Sequence, residues 1–246
     1  MSKKITIGSW ITIGHPSIAD VMADAGFDWL CIDMEHTVID YTQVQNLISS
    51  IQGKEVLAYV RVGENNPHII KRVLDAGADG IIVPMVNTKE EAQNAVNAVK
   101  YPPEGKRGVG LARAQGYGFK FDKYLKKQKD LDIIVQIEHL NAIKDLRTIL
   151  SVNGITGSMI GPYDLSASMG KPGKYEDDDV KEALAKYEKL SLELQMPMGY
   201  HIVETDSNKF IEMQNKGYTI LALSFDAMYL GTIARQNIEK IRAALI

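Results

Sequence analysis

Short apolar runs alternate with longer amphipathic stretches along the whole chain. Eight of these runs have the continuous apolar character of strands that are covered on both faces. They lie at 5–11, 28–33, 56–62, 80–86, 132–138, 155–161, 198–203 and 219–224. This alternation predicts a parallel sheet whose strands are joined by right-handed helical crossovers.

The stretches between these runs carry the signals of amphipathic helices. In the stretch 87–100, Asn87 or Thr88 is positioned to cap a helix, and Gly26 and Gly77 stand where two earlier helices should end. Eight strand–helix units in 246 residues predict a closed (β/α)8 TIM barrel, formed by a single domain over 1–246. No G-x-G-x-x-G follows the first run, which disfavours a dinucleotide-binding sheet.

Composition excludes several classes of protein. The chain has 28 Lys and Arg against 31 Asp and Glu, and this net charge of −3 disfavours nucleic-acid binding. Its apolar runs fall short of the roughly 18 residues that cross a membrane, and its first ten residues do not resemble a signal peptide. The single cysteine, Cys31, lies in an apolar context that predicts a buried thiol and fits a reducing, cytoplasmic location.

Polar side chains stand at the ends of several predicted strands. They are Asp33, Arg61, Glu138 and His201, and Asp164 follows the sixth strand. Because the carboxyl ends of barrel strands meet at one mouth, we expect these side chains to cluster there. No predicted strand ends in lysine, which disfavours Schiff-base chemistry.

Glu138 and Asp164 are one strand–helix step apart, so that they should face the same mouth. Two carboxylates without a dense His/Cys cluster suit a hard divalent ion such as Mg²⁺ or Mn²⁺. In the alternative interpretation, Glu138 pairs with an arginine and Asp164 caps the helix that follows.

Asp33 and His36 form a D-M-E-H segment in which the carboxylate could orient the imidazole as a general base. The alternative is an ordinary loop histidine. Arg61 either binds a carboxylate or developing oxyanion, or neutralises the neighbouring acids. His201 is a further candidate because it stands at a strand end. The long connection 101–131 is expected to pass over one barrel mouth.

Several segments together resemble the HpcH/HpaI family of class II pyruvate aldolases. The segments are GFDWLCIDMEH, YVRVGENNPHIIKRVLDAGADGIIVPMV, KYPPEGKRGVGLARA, VQIE and IGPYDLSASMG. The resemblance runs in order over about residues 8–242. It implies a barrel that holds a divalent metal ion (Mg²⁺, Mn²⁺ or Co²⁺) without an organic cofactor. The implied reaction is cleavage of a 4-hydroxy-2-oxo acid, such as a 2-keto-3-deoxy sugar acid, to pyruvate and an aldehyde.

The resemblance also implies roles for individual residues. Glu138 and Asp164 would bind the metal, His36 with Asp33 would form the acid/base dyad, and Arg61 would stabilise the enolate oxygen. Pyruvate would be bound by Gln136, Gly161, Tyr163 and Asp164.

Other implications concern neighbouring subunits. Asp75 would complete the site of a neighbouring subunit in a homo-oligomer, a hexamer by analogy, with the C-terminal helix at about 226–244 exchanged between subunits. Arg113 would either bind a distal substrate carboxylate or anchor its own loop.

The chain departs from the family at His201 and at Leu223-Ser224-Phe225-Asp226, both of which are expected at the aldehyde end of the pocket. The alternative functions are a citrate-lyase-β-like enzyme that acts on a CoA thioester, a related keto-acid decarboxylase, and a non-catalytic barrel that binds a keto acid.

Overall fold

The computed structural model describes residues 4–245, in which eight parallel strands close into a barrel in sequence order. The (β/α)8 prediction is therefore confirmed, and each predicted run corresponds to one strand, with β8 extending one residue beyond its run. The strands are β1 (Thr6–Ile11), β2 (Trp29–Asp33), β3 (Leu57–Arg61), β4 (Gly80–Val83), β5 (Asp132–Ile137), β6 (Gly157–Ile160), β7 (Met198–Ile202) and β8 (Ile220–Phe225).

Helices surround the barrel, and their ends follow the capping signals of the sequence. Thr88 caps α4 in a capping box with Glu91, and Gly77 ends α3 with a left-handed φ of 110°. The helices are α1 (Pro16–Asp24), α2 (Tyr41–Gln52), α3 (Pro67–Ala76), α4 (Lys89–Val99), α5 (Phe121–Lys127), α6 (Leu140–Lys144), α7 (Leu146–Leu150), α8 (Pro162–Ser168), α9 (Asp178–Glu193), α10 (Ser207–Asn215) and α11 (Asp226–Ala244).

Strand side chains alternate between the barrel interior and the layer beneath the helices. Trp29, Cys31 and Tyr59 belong to the interior cluster, and Cys31 is fully buried as predicted. Asp33 and Arg61 each lie two positions beyond an interior residue of the same strand, so that the alternation directs both inward at the carboxyl end of the barrel. The charged side chains of Asp33 and Arg61 therefore lie at the carboxyl end of the barrel, next to its apolar interior.

The connection 101–131 contains α5 and packs at the amino ends of the strands. Lys127 Nζ lies 2.7 Å from Oδ1 of Asp79, which precedes β4. Arg113 binds Gln52 at the end of α2 and the carbonyl of Ala76 at the end of α3. The segment therefore packs at the end of the barrel opposite the one where Asp33 and Arg61 lie.

The final helix, α11, begins at the carboxyl end of β8, and Asp226 is its buried residue. Asp226 accepts hydrogen bonds from the backbone of Thr12 and Ile13, which ties the start of α11 to β1. Its apolar side chains, among them Leu230 and Ile233, are exposed in the single chain. No helix within residues 4–245 combines the length and apolarity needed to span a bilayer.

Candidate active site

Arg61 is held in one orientation by Asp33. The register of β2 and β3 sets the two residues side by side, and Arg61 donates to both carboxylate oxygens at 2.9 and 2.7 Å. The Arg61 guanidinium also stacks over Trp10, 4.4 Å from the ring centroid. Burial by itself would lower the pKa of Arg61, but its hydrogen bonds to Asp33 and the negative charges of Asp33 and Glu35 outweigh burial, and the pKa is raised. Arg61 is therefore a fixed cation at the carboxyl mouth.

His36 lies beside Glu35 rather than beside the carboxylate of Asp33. Its Nε2 is 3.6 Å from Oε2 of Glu35, whereas Asp33 contacts only the backbone N–H of His36, at 3.4 Å. In this structure the Asp33 carboxylate does not contact the His36 ring, because both of its oxygens accept hydrogen bonds from Arg61. Glu35 takes that position, and it also lies 3.3 Å from Nε of Arg61. Burial raises the pKa of Glu35 despite the nearby guanidinium.

Glu138 and Asp164 converge on Gly161, which immediately precedes the short helix α8. A Cβ atom at Gly161 would lie 3.2 Å from Oε2 of Glu138 and 3.8 Å from Oδ2 of Asp164, so that only glycine leaves the space between them open. Glu138 is buried and accepts a hydrogen bond from the Met85 N–H at 2.7 Å. The side-chain N–H of Gln136 donates to its other oxygen, Oε2.

This donor set fits a hard divalent ion. Two carboxylates face one gap, and Oε1 of Gln136 is a buried acceptor with no partner among the described residues. Magnesium and manganese prefer such oxygen ligands and keep coordination positions for water or substrate. Glu138 forms no ion pair with an arginine within residues 4–245, and Asp164 does not accept the capping bond of α8. Neither alternative interpretation of the two carboxylates therefore holds.

Two cavities meet at Arg61, Trp10 and His201. The larger, of about 570 Å³, runs from Gln136, Gly161, Tyr163 and Asp164 to Tyr175 and Lys209. The smaller, of about 390 Å³, is lined by Asp33, His36, Thr12, Thr37 and Phe225. The two cavities adjoin, and Glu138 lies beside the larger one through its hydrogen bond from Gln136.

His201 forms the wall between the two cavities. Its ring lies 5.6 Å from that of Trp10, and its Nε2 lies 3.1 Å from the Ser224 carbonyl oxygen. A carbonyl only accepts, so Nε2 carries the proton and donates it to this bond. Burial lowers the pKa of His201 to about 4, which keeps the ring neutral at neutral pH.

A model of the HpcH/HpaI aldolase/citrate lyase family matches residues 6–231. The chain belongs to this family. Among curated HpcH/HpaI relatives, the 5-keto-4-deoxy-D-glucarate aldolase of Escherichia coli O139:H28 (strain E24377A / ETEC) is 35% identical over 227 residues, which are 92% of this chain and 88% of that protein. The HpcH/HpaI resemblance in the sequence is thereby confirmed, and the chain is an aldolase, a carbon–carbon lyase.

Solved HpcH/HpaI structures have the same fold. A family protein from Burkholderia cenocepacia J2315 is 30% identical with a TM-score of 0.92, covering 97% of this chain and 95% of that one. The HpcH/HpaI aldolase from Desulfitobacterium hafniense DCB-2 is 27% identical with a TM-score of 0.88, covering 97% and 93%.

Two predicted site residues lie away from the carboxyl mouth. Asp75 is in the last turn of α3, at the amino end of the barrel, and pairs with the buried Arg107 at 2.6 Å. Arg113 anchors the connection 101–131 to α2 and α3, as one of its two interpretations predicted. Within one subunit neither reaches the cavities, so any role at an HpcH/HpaI site requires a neighbouring subunit.

Two contributors to the site were not predicted from the sequence. Glu35 was given no role, although it lies between Arg61 and His36. Met85 was also missed, and it contributes only its backbone N–H to Glu138. Glu35 could have been found from its position within the D-M-E-H segment, whereas a backbone donor leaves no signal in the side-chain pattern.

Proposed function

We propose that the chain is a divalent-metal-dependent pyruvate aldolase that reversibly cleaves a 4-hydroxy-2-oxo acid to pyruvate and an aldehyde. The gap at Gly161 between two carboxylate oxygens, beside the fixed cation Arg61, is the observation that carries this proposal. The 2-keto-3-deoxy sugar acids are the proposed substrate class, since the curated relative is named for 5-keto-4-deoxy-D-glucarate.

Glu138 and Asp164 would hold the metal ion, with the Gln136 side chain beside them. When bound, such an ion supplies Lewis acidity toward the keto oxygen of the substrate. The specific ion, Mg²⁺, Mn²⁺ or Co²⁺, belongs to the proposal. The donor set is all oxygen, which favours Mg²⁺ or Mn²⁺.

Arg61 provides the fixed positive charge for the keto oxygen, on which negative charge develops as the carbon–carbon bond breaks. Two of its nitrogens are bound to Asp33, while Nη1 has no hydrogen-bond partner among residues 4–245. The backbone N–H groups of Tyr163 and Asp164, in the first turn of α8, are proposed to bind the pyruvate carboxylate.

His36 is proposed to remove the C4 hydroxyl proton in cleavage and to return it in the reverse direction. With Nε2 facing Glu35, the imidazole presents Nδ1 as its free base. Glu35 then stabilises the imidazolium that forms. When this proton leaves, the C4 hydroxyl becomes the aldehyde carbonyl. The C3–C4 bond breaks, and its electron pair passes to the pyruvate enolate.

A CoA thioester substrate fits the site less well. The outer end of the larger cavity carries Glu204, Asp206 and Lys209, and Lys209 is paired with Glu212 at 3.0 Å. This end of the cavity lacks the basic lining that a nucleotide diphosphate needs.

The homo-oligomer is part of the same proposal. The exposed apolar side chains of α11 are explained if the helix is exchanged between neighbouring barrels. Asp75 would then act at a neighbour's site, and a hexamer by analogy is the proposed assembly.

Proton exchange at the methyl group of pyruvate tests the proposal without knowledge of the aldehyde. The protein is incubated with pyruvate in D₂O, with Mg²⁺, Mn²⁺ or EDTA, and the methyl signal is followed by NMR. We expect metal-dependent loss of that signal. A folded, metal-loaded protein that leaves the methyl protons in place would overturn the proposal.

His36→Ala is the second arm of this test. Cleavage should fall by about 10²–10⁴-fold, the usual contribution of a general base, while metal affinity stays near that of the wild type. His68→Ala is the control, because His68 lies in the first turn of α3, outside both cavities. Equal cleavage rates in the two variants would remove His36 from the mechanism.

A further inference from the structure

The connection 101–131 contains a buried guanidinium that lies outside both cavities. The Arg107 side chain has no exposed surface, and its guanidinium carbon lies 4.8 Å from the ring centroid of Tyr101 and 5.5 Å from that of Tyr124. Its Nη1 donates to the Tyr124 hydroxyl at 2.9 Å. Burial lowers the pKa of Arg107, but its contacts with Tyr124 and Asp75 outweigh burial and the pKa is raised. Arg107 is therefore a cation that solvent does not reach.

Asp75 is the carboxylate that pairs with this cation. Its Oδ1 accepts hydrogen bonds from Nη2 of Arg107 at 2.6 Å and from the side-chain N–H of Gln115 at 3.2 Å. Gln115 is itself buried, and its side chain is held by the Tyr101 hydroxyl and the Ala112 N–H. Two donors that are fixed within the protein therefore set the orientation of the Asp75 carboxylate.

The second oxygen of Asp75 is left free. Oδ2 has no hydrogen-bond partner among residues 4–245, and it is not one of their buried unpartnered atoms, so that it is open to the outside of the subunit. Gly110 lies next to it, since a Cβ atom there would be 3.7 Å from Oδ2. Because residue 110 is a glycine, no side chain at that position covers the oxygen. Buried donors thus present one charged acceptor at the amino end of the barrel.

Fastening the connection to α3 does not require this ion pair. The backbone N–H of Ala114 donates to the Asp75 carbonyl at 3.0 Å, and Arg113 binds Gln52 and the Ala76 carbonyl. Burying a charged pair is costly, and well-packed apolar residues of similar volume often stabilise a fold equally well. The pair is therefore better explained by the orientation that it gives to Asp75 than by stability.

We propose that Arg107 is a positioning residue that acts through Asp75 on the active site of a neighbouring subunit. Arg107 and Gln115 hold Oδ1, so that Oδ2 is presented to that site as a fixed hydrogen-bond acceptor. A carboxylate that is oriented in advance loses less conformational freedom when it meets a donor there. This inference rests on the proposed aldolase function and its oligomer, and it adds a residue that does not touch the substrate.

The first test measures kcat/KM for the addition of pyruvate to glyceraldehyde with Mg²⁺ present. In Arg107→Met the side chain stays apolar between the two tyrosines, but Oδ1 of Asp75 loses its cation. We expect kcat/KM to fall by about tenfold or more, the size of one charge-assisted hydrogen bond, and Arg107→Lys to recover part of this loss. Lys127→Met is the matched control, because it removes the ion pair between the same connection and Asp79. Equal losses in Arg107→Met and Lys127→Met would overturn the inference.

Mixed oligomers show whether Arg107 acts on the neighbour or within its own subunit. Arg107→Met and His36→Ala subunits with different affinity tags are co-expressed and purified over both tags. Some sites then combine an intact His36 with a neighbour whose Arg107 is intact. We expect about a quarter of the wild-type rate, the share of such sites in a random assembly. A rate no higher than that of the two parent variants would place the action of Arg107 within its own subunit and overturn the inference.

A second mixture excludes a purely structural role. Arg107→Met combined with Asp75→Asn should gain no activity, because no site then meets an Asp75 that Arg107 holds. A gain would mean that assembly repairs a folding defect of Arg107→Met, which overturns the inference. Gel filtration with light scattering should give Arg107→Met the mass of the wild-type oligomer. A smaller mass would assign Arg107 to assembly and overturn the inference as well.

Failure of the proposed function is recognised separately. Absence of pyruvate exchange in the wild type overturns the aldolase proposal, and this inference with it. A wild type that exchanges the methyl protons and adds pyruvate to glyceraldehyde, beside an Arg107→Met variant of unchanged kcat/KM, overturns this inference alone.

Discussion

At the scale of single residues, Arg61 shows how the fold prepares a charge before the substrate arrives. Its guanidinium is fixed by two bonds to Asp33 and by the face of Trp10. The cost of desolvating both charges is offset by this pairing within the folded protein. A group held in this way needs little reorganisation when negative charge develops nearby.

Arg61→Lys should therefore impair catalysis although it keeps the charge. Lysine cannot bind both oxygens of Asp33, so its ammonium is not held in place. We expect kcat for cleavage to fall by about 10²–10³-fold. Arg72→Lys is the control, since Arg72 also stacks on an aromatic ring, that of Tyr41, but lies outside both cavities. Similar losses in the two variants would contradict the role of Arg61.

His201 should make the protein sensitive to acid. Its pKa is about 4 in the folded protein, below the value near 6.5 of an unfolded chain, so protonation favours unfolding as the pH falls from 6.5 to 4. At pH 5 the protonation of His201 should have lowered the free energy of unfolding by about 2 kcal/mol.

Urea unfolding of the wild type and His201→Gln at pH 7 and pH 5 measures this effect. The difference in unfolding free energy between the two proteins should narrow by about 2 kcal/mol at the lower pH. A constant difference would mean that His201 titrates alike in both states.

At the scale of elements, the site depends on how strand ends and turns meet. The eight strands could be predicted because continuous apolar runs are distinctive, and Glu138 and Asp164 could be placed at one mouth because each follows such a run. The side-by-side geometry of the Asp33–Arg61 pair could not be predicted. It depends on the β2–β3 register, which sets Asp33 beside Arg61, and sequence alone does not contain that register.

The sequence also did not predict at which end of the barrel the connection 101–131 packs. Whether Arg113 anchors its loop depends on where the chain turns after α4, and the bonds to Gln52 and Ala76 settle its position within this subunit. The HpcH/HpaI resemblance supplied candidate residues, but not the end of the barrel at which each lies.

Gly161→Ala tests the junction of β6 and α8. A Cβ there would lie 2.9 Å from the Cβ of Glu138 and would push the two carboxylates apart. We expect affinity for Mn²⁺ to fall by about tenfold or more, the usual effect of displacing the residues that position metal ligands. Calorimetric titration measures this affinity. Gly108→Ala is the matched control, since its Cβ meets only a lysine carbon at 4.0 Å. Unchanged affinity in Gly161→Ala would argue against a metal at this gap.

At the scale of the whole molecule, α11 is the element that a single barrel leaves uncovered. It contacts β1 and β8 near its start, and the exposed side chains Leu230, Ile233, Ile238 and Ile241 lie along the rest. An apolar helix of this length is costly in water unless another surface covers it. The single domain over 1–246 and the oligomer both stay predictions.

Ile233→Asp should weaken the proposed assembly. A charge buried against a neighbouring barrel is left without a partner. The variant oligomer should therefore dissociate at a higher protein concentration than the wild-type oligomer does. Light scattering coupled to gel filtration measures the mass of each species. Ala243→Asp is the control, because it adds the same charge at an exposed position of α11 away from the face that carries Leu230, Ile233 and Ile241. A wild type that elutes as a monomer would exclude the exchange.

The distribution of the site over separate strands has a consequence for divergence within the family. Glu138 follows β5 and Asp164 follows β6, while His201 lies on β7 and is held by a main-chain carbonyl of β8. Because the partner of His201 is a main-chain carbonyl, this hydrogen bond does not depend on which side chain is present at position 224. New acceptor preferences can therefore evolve by substitutions on β7 and β8, while the machinery that handles pyruvate is inherited unchanged.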